Sequence, residues 1–278
     1  MFKLFLHLVV GALLAGCVGK PEAPVLSNLT GNALAITTSR LDALLPTDAL
    51  LLGEQHDAKE HQQIHGQVIA LLAQRGLLAA VALEMADAGV TTAGLHPSST
   101  EQQTKNALKW NDKGWPWAAY GPAVMTAVRA GVPVLGANQP PGLMRANMGD
   151  SALDSQLPGP ALKAQQQLIR IGHCNMLPES QITPMTRIQI AKDISMANTL
   201  ANSALPGKVV VLLSGSGHTD RLLGVPQHLP ARVKVKAVRL RPGDASSDEK
   251  AEAFDAVWQT PALPEKDYCE EFKAQMGK

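Results

Sequence analysis

Leu50-Leu51-Leu52-Gly53-Glu54-Gln55-His56-Asp57 decides the fold, because an apolar run stops at a glycine and gives way at once to polar residues. A short uninterrupted apolar run bounded by glycine reads as a strand buried on both faces, the kind that parallel sheets contain. The design recurs at Val209-Val210-Val211-Leu212-Leu213-Ser214-Gly215-Ser216-Gly217-His218, so that each strand leads into Gly-x-x-His. Two further apolar runs, Ala80-Val81-Ala82-Leu83 and Val132-Pro133-Val134-Leu135-Gly136, end on Glu84 and on Ala137-Asn138. Strand C-termini of a parallel sheet all open on one edge, which is where ligands bind. Glu54, His56, Glu84, Asn138 and His218 are therefore expected to converge there.

Between these strands the pattern is helical. Ile64, Val68, Leu71 and Leu72 recur at helical spacing and stop at Gly76, and Val124, Ala127 and Val128 do the same over 122–131. Residues 86–120 fit no simple crossover, and three of the four tryptophans (Trp110, Trp115, Trp117) lie there. From 143 to 205 no strand is visible, which predicts an α-helical insertion whose best helix covers 187–200. Val233 to Leu240 supplies a last strand. The expected architecture is α/β, a mostly parallel central sheet flanked by helices over 41–245, followed by a charged C-terminal tail over 246–278.

The N-terminus carries a different signal. Lys3, the apolar stretch Leu4–Leu14 and the small residues Ala15-Gly16 form a secretory signal over 1–16 that is too short to span a bilayer stably. Leu14-Ala15-Gly16-Cys17 is a lipobox, which makes Cys17 the acylated first residue of the mature chain, with palmitate among the expected acyl groups and 17–40 serving as lipidated tether. Val18, rather than an aspartate, follows the cysteine, which favours the outer membrane, facing the periplasm or the surface. Lys and Arg number 25 against 24 Asp and Glu, with no basic run, so nothing in the charge suggests nucleic acid. Cys174 and Cys269 remain for a compartment that permits disulfides, and sequence alone leaves open whether they pair.

Each candidate residue has two readings. His56 beside Glu54 can ligate a divalent metal, act as a general base or hydrogen-bond a carboxylate, or else cap the next helix. Glu84 ends an apolar strand and must find a partner. His61 and His65, one turn apart, offer a metal face or merely a polar helix face. The tryptophans with Tyr120 are core packing or the wall of a flat aromatic site. Two imidazoles and two carboxylates at the edge would suit Zn²⁺, Mn²⁺ or Fe²⁺.

Gly53 to Asp57, Leu83-Glu84-Met85, Trp110 to Tyr120, Gly136-Ala137-Asn138, His173-Cys174, the helix from Gln189 to Ala197 and Gly215 to His218 with Gly224-Val225-Pro226 together resemble the ChaN family of iron-regulated, haem-binding bacterial lipoproteins. The resemblance spans about 50–230 in the right order. It implies haem bound at a homodimer interface for iron acquisition, the iron held by a tyrosine, basic side chains on the propionates, and haem receptor or transporter components as partners. A phenolate suits ferric iron, and of the chain's two tyrosines Tyr120 lies in the matching region, with His173 as a second haem contact. The wider superfamily resembles Tiki-type proteases and erythromycin esterases, which implies an alternative: a divalent-metal-dependent hydrolase built on Glu54, His56, Glu84 and His218. Lys192-Asp193 departs from the pattern, since an arginine is expected before the aspartate.

If the lipobox is used, Cys17→Ser abolishes acylation and leaves an unprocessed or soluble species, as detergent partitioning would measure.

Overall fold

A computed structural model of the chain describes residues 31–244 and 252–276. The signal and Cys17 lie outside the described residues.

The elements run α1 (Gly31–Asp42), β1 (Ala49–Glu54), α2 (Lys59–Gln74), β2 (Leu78–Asp87), α3 (Glu101–Ala107), α4 (Trp117–Arg129), β3 (Val134–Asn138), α5 (Met144–Gly149), α6 (Gly159–Gly172), α7 (Glu179–Ser203), β4 (Val209–Gly215), α8 (Ser216–Thr219), β5 (Val235–Pro242), β6 (Ala256–Thr260) and α9 (Tyr268–Met276). The strands form one sheet in the order β3-β2-β4-β1-β5-β6, and every pairing is parallel. The α/β expectation holds, with a sheet that is wholly rather than mostly parallel.

Both faces are covered, which is why the strands read as unbroken apolar runs. Leu50 and Leu52 pack with Ile64 and Val68 of α2 and Val124 of α4. Leu51, Ala80, Ala82, Val210 and Leu212 turn the other way, onto Met196, Ala197 and Leu200 of α7. The chain leaves β1 for β2 across β4, and leaves β4 for β5 across β1. Neighbouring strands β1 and β4 thus send their connections over one another, and their C-termini lie side by side on one edge of the sheet. The two Gly-x-x-His segments leave from these two strands.

The structure moves several boundaries. Residues 31–40, expected in the tether, lie within α1, whose Leu34 and Leu41 join the core around α2. Helix α4 begins at Trp117, five residues before the expected start, with Pro122 inside it. The region 143–205 is helical as expected, but α7 is longer than predicted and doubles as the crossover from β3 to β4, which separates it from a pure insertion. The tail contributes a sixth strand: β6 pairs with β5 and buries Trp258. Among the described residues no helix is long and apolar enough to cross a membrane.

Leu212 is fully enclosed between the sheet and α7. Leu212→Ala is expected to lower stability by about 2–5 kcal/mol in chemical denaturation, from lost transfer energy plus the cavity left behind.

Candidate functional site

Strand parity decides how the site is built. Alternate residues of a strand face opposite sides, so Glu54 continues the Leu50–Leu52 series towards α2 and α4, while Glu84 continues the Ala80–Ala82 series towards α7. The two carboxylates leave the sheet on opposite faces, and His56 lies between them. Its Nδ1 is 2.8 Å from Glu54 Oε1 and its Nε2 is 3.9 Å from Glu84 Oε2.

Glu54 is held from every side. Oε1 also accepts the Tyr120 hydroxyl at 2.6 Å, and Oε2 accepts the Gln62 side-chain amide at 2.9 Å with His65 Nδ1 at 3.6 Å. Burial would push its carboxyl up, but the His56 hydrogen bond, His65 and Tyr120 outweigh that and hold it below the ordinary range.

On the other face Glu84 Oε2 accepts the Gly215 backbone N–H at 2.7 Å, and Oε1 lies 3.3 Å from His218 Nε2. His218 Nδ1 in turn lies 2.5 Å from Asp193 Oδ1 on α7, so the imidazole is clamped between two buried carboxylates. Burial alone would depress its pKa; Glu84 and Asp193 override that and raise it to about 10. Burial lifts the Asp193 carboxyl to about 6 against the pull of His218, and Glu84, drawn down by His218 and His56, falls well below the usual carboxylate range. Asp193, His218, Glu84, His56 and Glu54 thus form a row in which carboxylates and imidazoles alternate.

Glycines make the close approach possible. A Cβ at Gly53 would run into Thr219 and Ser216, and one at Gly215 would come within 2.9 Å of His56 Nε2. His56 is the member that meets solvent, with 41% of its side chain exposed and its ring edge-on to Trp115 at 4.8 Å between centroids. Despite burial, which lowers it, Glu54 and Glu84 raise its pKa above the ordinary imidazole value.

Glu54, His56, Glu84 and His218 converge as expected, and Asp193, Gln62 and Tyr120 join them. Asn138 ends β3 on the same edge, with its side-chain oxygen accepting the N–H of Gln139. The donors do not suit a divalent metal, because the imidazole nitrogens already face carboxylates, and among the described residues no set of three or more His, Cys, Asp or Glu side chains is arranged to hold one. His61 is a structural residue, its Nδ1 accepting the Gln55 N–H and its Nε2 meeting the Thr260 hydroxyl. Tyr120 is the larger correction to the expectation. Only 2% exposed, with its hydroxyl donated to Glu54 and its pKa pushed far up by burial and that carboxylate, it presents no phenolate to a surface ligand. Trp110 and Trp117 pack edge to face against each other and onto the core, and so form no flat ligand wall. His173 lies away from the cluster, at the C-terminal end of α6.

Next to the cluster is a cleft of about 730 Å³, lined by Pro158, Ala161 and Leu168 beside α6, by Ser216 and Gly217 of α8, and by Arg239 and Phe254. Its floor is the turn that carries His218. A cleft of this size, mostly apolar with a few polar groups, is the ordinary form of a small-ligand site.

Removing His218 would leave Glu84 and Asp193 buried without their shared cation. His218→Ala is expected to cost about 3–5 kcal/mol. Because the folded pKa is raised to about 10, the stability that His218 contributes is fully present below its unfolded value and is lost as pH rises through about 10. Melting temperatures of the wild type should fall across that alkaline range, and His218→Gln should lack this part of the slope.

Residues 40–229 match the family model described as haem-binding uptake, Tiki superfamily, ChaN. Among solved structures, one described as cofacial haem binding to ChaN of Campylobacter jejuni aligns at TM-score 0.64 and 25% identity, over 79% of this chain and 90% of that one. The structure of the type III effector HopBA1 aligns at TM-score 0.43 and 13% identity, over 82% of this chain and 94% of that one, and carries no argument. No curated protein matches the chain. With a match that takes in every member of the Glu54–His56–Glu84–His218–Asp193 row and the whole of α6, the chain belongs to the ChaN family of haem-binding proteins.

Proposed function

We propose that this chain is an outer-membrane-anchored lipoprotein, acylated at Cys17, that binds haem for bacterial iron acquisition. The cleft along α6 carries the reading. Haem is a flat apolar ring with two carboxylates, and the cleft offers Pro158, Ala161, Leu168 and Phe254 to the ring and Arg239 to a carboxylate. Leu143, Met144, Leu168 and Ile171 are all exposed, and all belong to the helical segment between β3 and β4. Apolar side chains left exposed on one segment support ligand or partner binding, and it is the surface we assign to a homodimer that encloses haem. A haem receptor or transporter component would then take the ligand onward.

The charged row has a supporting part. It fixes α8, whose Ser216 and Gly217 form the cleft floor, and it holds His56 as a hydrogen-bond donor at the edge. Both ring nitrogens of His218 face carboxylates, Nδ1 towards Asp193 and Nε2 towards Glu84, so it has no nitrogen free to act as a general base, which disfavours the hydrolase alternative.

Titration of the purified protein with haemin, followed by visible absorption, is the test. Saturable uptake is expected. Leu168→Asp, which puts a charge on the apolar wall, should weaken it about tenfold or more, a cost of about 1.4 kcal/mol. Tyr120→Phe should leave the haem spectrum unchanged. Absence of uptake by the wild type would sink the proposal.

A further inference from the structure

The disulfide between Cys174 and Cys269 joins residues 95 apart in sequence, with a Cα–Cα distance of 5.6 Å. Cys174 lies two residues past the end of α6, and Cys269 is the second residue of α9, a helix beyond the residues that match the family. The short helix is therefore tied to the body of the protein through sulfur. Its other attachments are few. Phe272 of α9 lies edge-on to the His173 ring at 5.7 Å between centroids. The Tyr268 hydroxyl accepts from Gln55 Nε2 at 2.8 Å and donates to Asp57 Oδ2 at 2.9 Å, with Lys266 Nζ 3.8 Å from the same carboxylate oxygen. Gln55 and Asp57 flank His56, the member of the row that meets solvent. Helix α9 is thus a strap fixed at two ends, one on α6 and one on the loop after β1.

Non-covalent forces hold this strap weakly. Over 268–274 no residue is buried, and only Cys269 and Phe272 are half-buried. Hydrophobic stabilisation scales with the apolar area removed from water, so α9 draws little from burial. Hydrogen bonds and ion pairs among exposed groups add little more. A helix of nine residues is marginal by itself in water. The sulfur–sulfur bond is therefore the dominant constraint on α9. Both cysteines are half-buried rather than enclosed, which leaves the bond open to thiols in solution.

We propose that the Cys174–Cys269 bond is a thiol-sensitive clasp, whose reduction by a dithiol releases α9 and with it the loop that carries His56. A thiolate of the dithiol attacks one cysteine sulfur, which forms a mixed disulfide and frees the other cysteine; the second thiol of the dithiol then displaces the remaining cysteine. The protein's sulfur–sulfur bond breaks, one forms within the dithiol, and the two hydrogens of the dithiol end on Cys174 and Cys269. The protein is reduced and the dithiol oxidised. Once free, α9 no longer holds Tyr268 against Gln55 and Asp57, and the Phe272 ring leaves His173. The loop then gains freedom and His56 gains exposure. Glu54, Glu84 and His218 stay in place, because the groups that hold them lie on α2, α4, α7, α8 and β4. The clasp acts on the exposed end of the row alone, whatever ligand the cleft takes.

The intact chain, with and without excess dithiothreitol, is the test. Reduction is expected to speed amide exchange about tenfold or more over residues 268–276 and 55–58, and to raise the labelling of His56 and His173 by diethyl pyrocarbonate. Reoxidation should restore both. Cys174→Ser/Cys269→Ser should show the faster exchange without dithiothreitol and no further response to it. Tyr268→Phe, which keeps the disulfide, should speed exchange over 55–58 and leave 268–276 protected. Unchanged exchange over 268–276 in the reduced wild type overturns the clasp, because packing then holds α9. Faster exchange over 268–276 with none over 55–58 overturns the link to His56. An equal response to dithiothreitol in the double serine variant assigns the effect to something other than this bond, and overturns the proposal too.

Discussion

Glu54 and Glu84 leave one sheet on opposite faces, and the order of the carboxyl edge depends on His56 spanning them. Each buried carboxylate carries a desolvation penalty of several kcal/mol that only close opposite charge and hydrogen bonds offset. The chain meets it by alternation: Asp193, His218, Glu84, His56 and Glu54 follow one another as acid and base. The glycines are consequences of this row, since a methyl group at Gly215 would crowd the His56 ring and one at Gly53 would force α8 away from β1. Parallel topology supplies the rest. Strands β1 and β4 pair side by side in register, so the two short turns that leave them meet at one edge.

Much of this is legible in the sequence. Strands covered on both faces read as unbroken apolar runs, and parallel strands put their polar ends on one edge, so Glu54, His56, Glu84 and His218 could be assembled from their positions alone. What could not be read was direction. Tyr120 lies in a motif-rich stretch, but because α4 begins at Trp117 it falls where the helix faces the sheet, and its hydroxyl ends on Glu54 rather than at the surface. Asp193 stands out in the sequence only for following Lys192 where an arginine is expected, and nothing in its neighbours signals that this turn of α7 faces His218. Strand β6 was missed because one buried tryptophan among exposed residues resembles a tail more than a strand. The pairing of Cys174 with Cys269 depends on distance, which sequence does not contain.

The row of charges and the cleft are separate in composition but share a wall. Ser216 and Gly217 border the cleft, and His218, in the same turn, points back into the row. A ligand in the cleft therefore rests on a surface fixed by buried electrostatics, not on a free loop. Rigid support of this kind lowers the ordering cost that binding would otherwise incur.

Helix α6 rests on a small cluster of its own, formed by Leu153, Leu157, Ile190 and Ala191, separate from the two layers that hold the sheet. The consequence is evolutionary. A substitution on α6 draws on that local cluster rather than on the sheet's core, so this helix can change with little cost to the scaffold that carries the charged row.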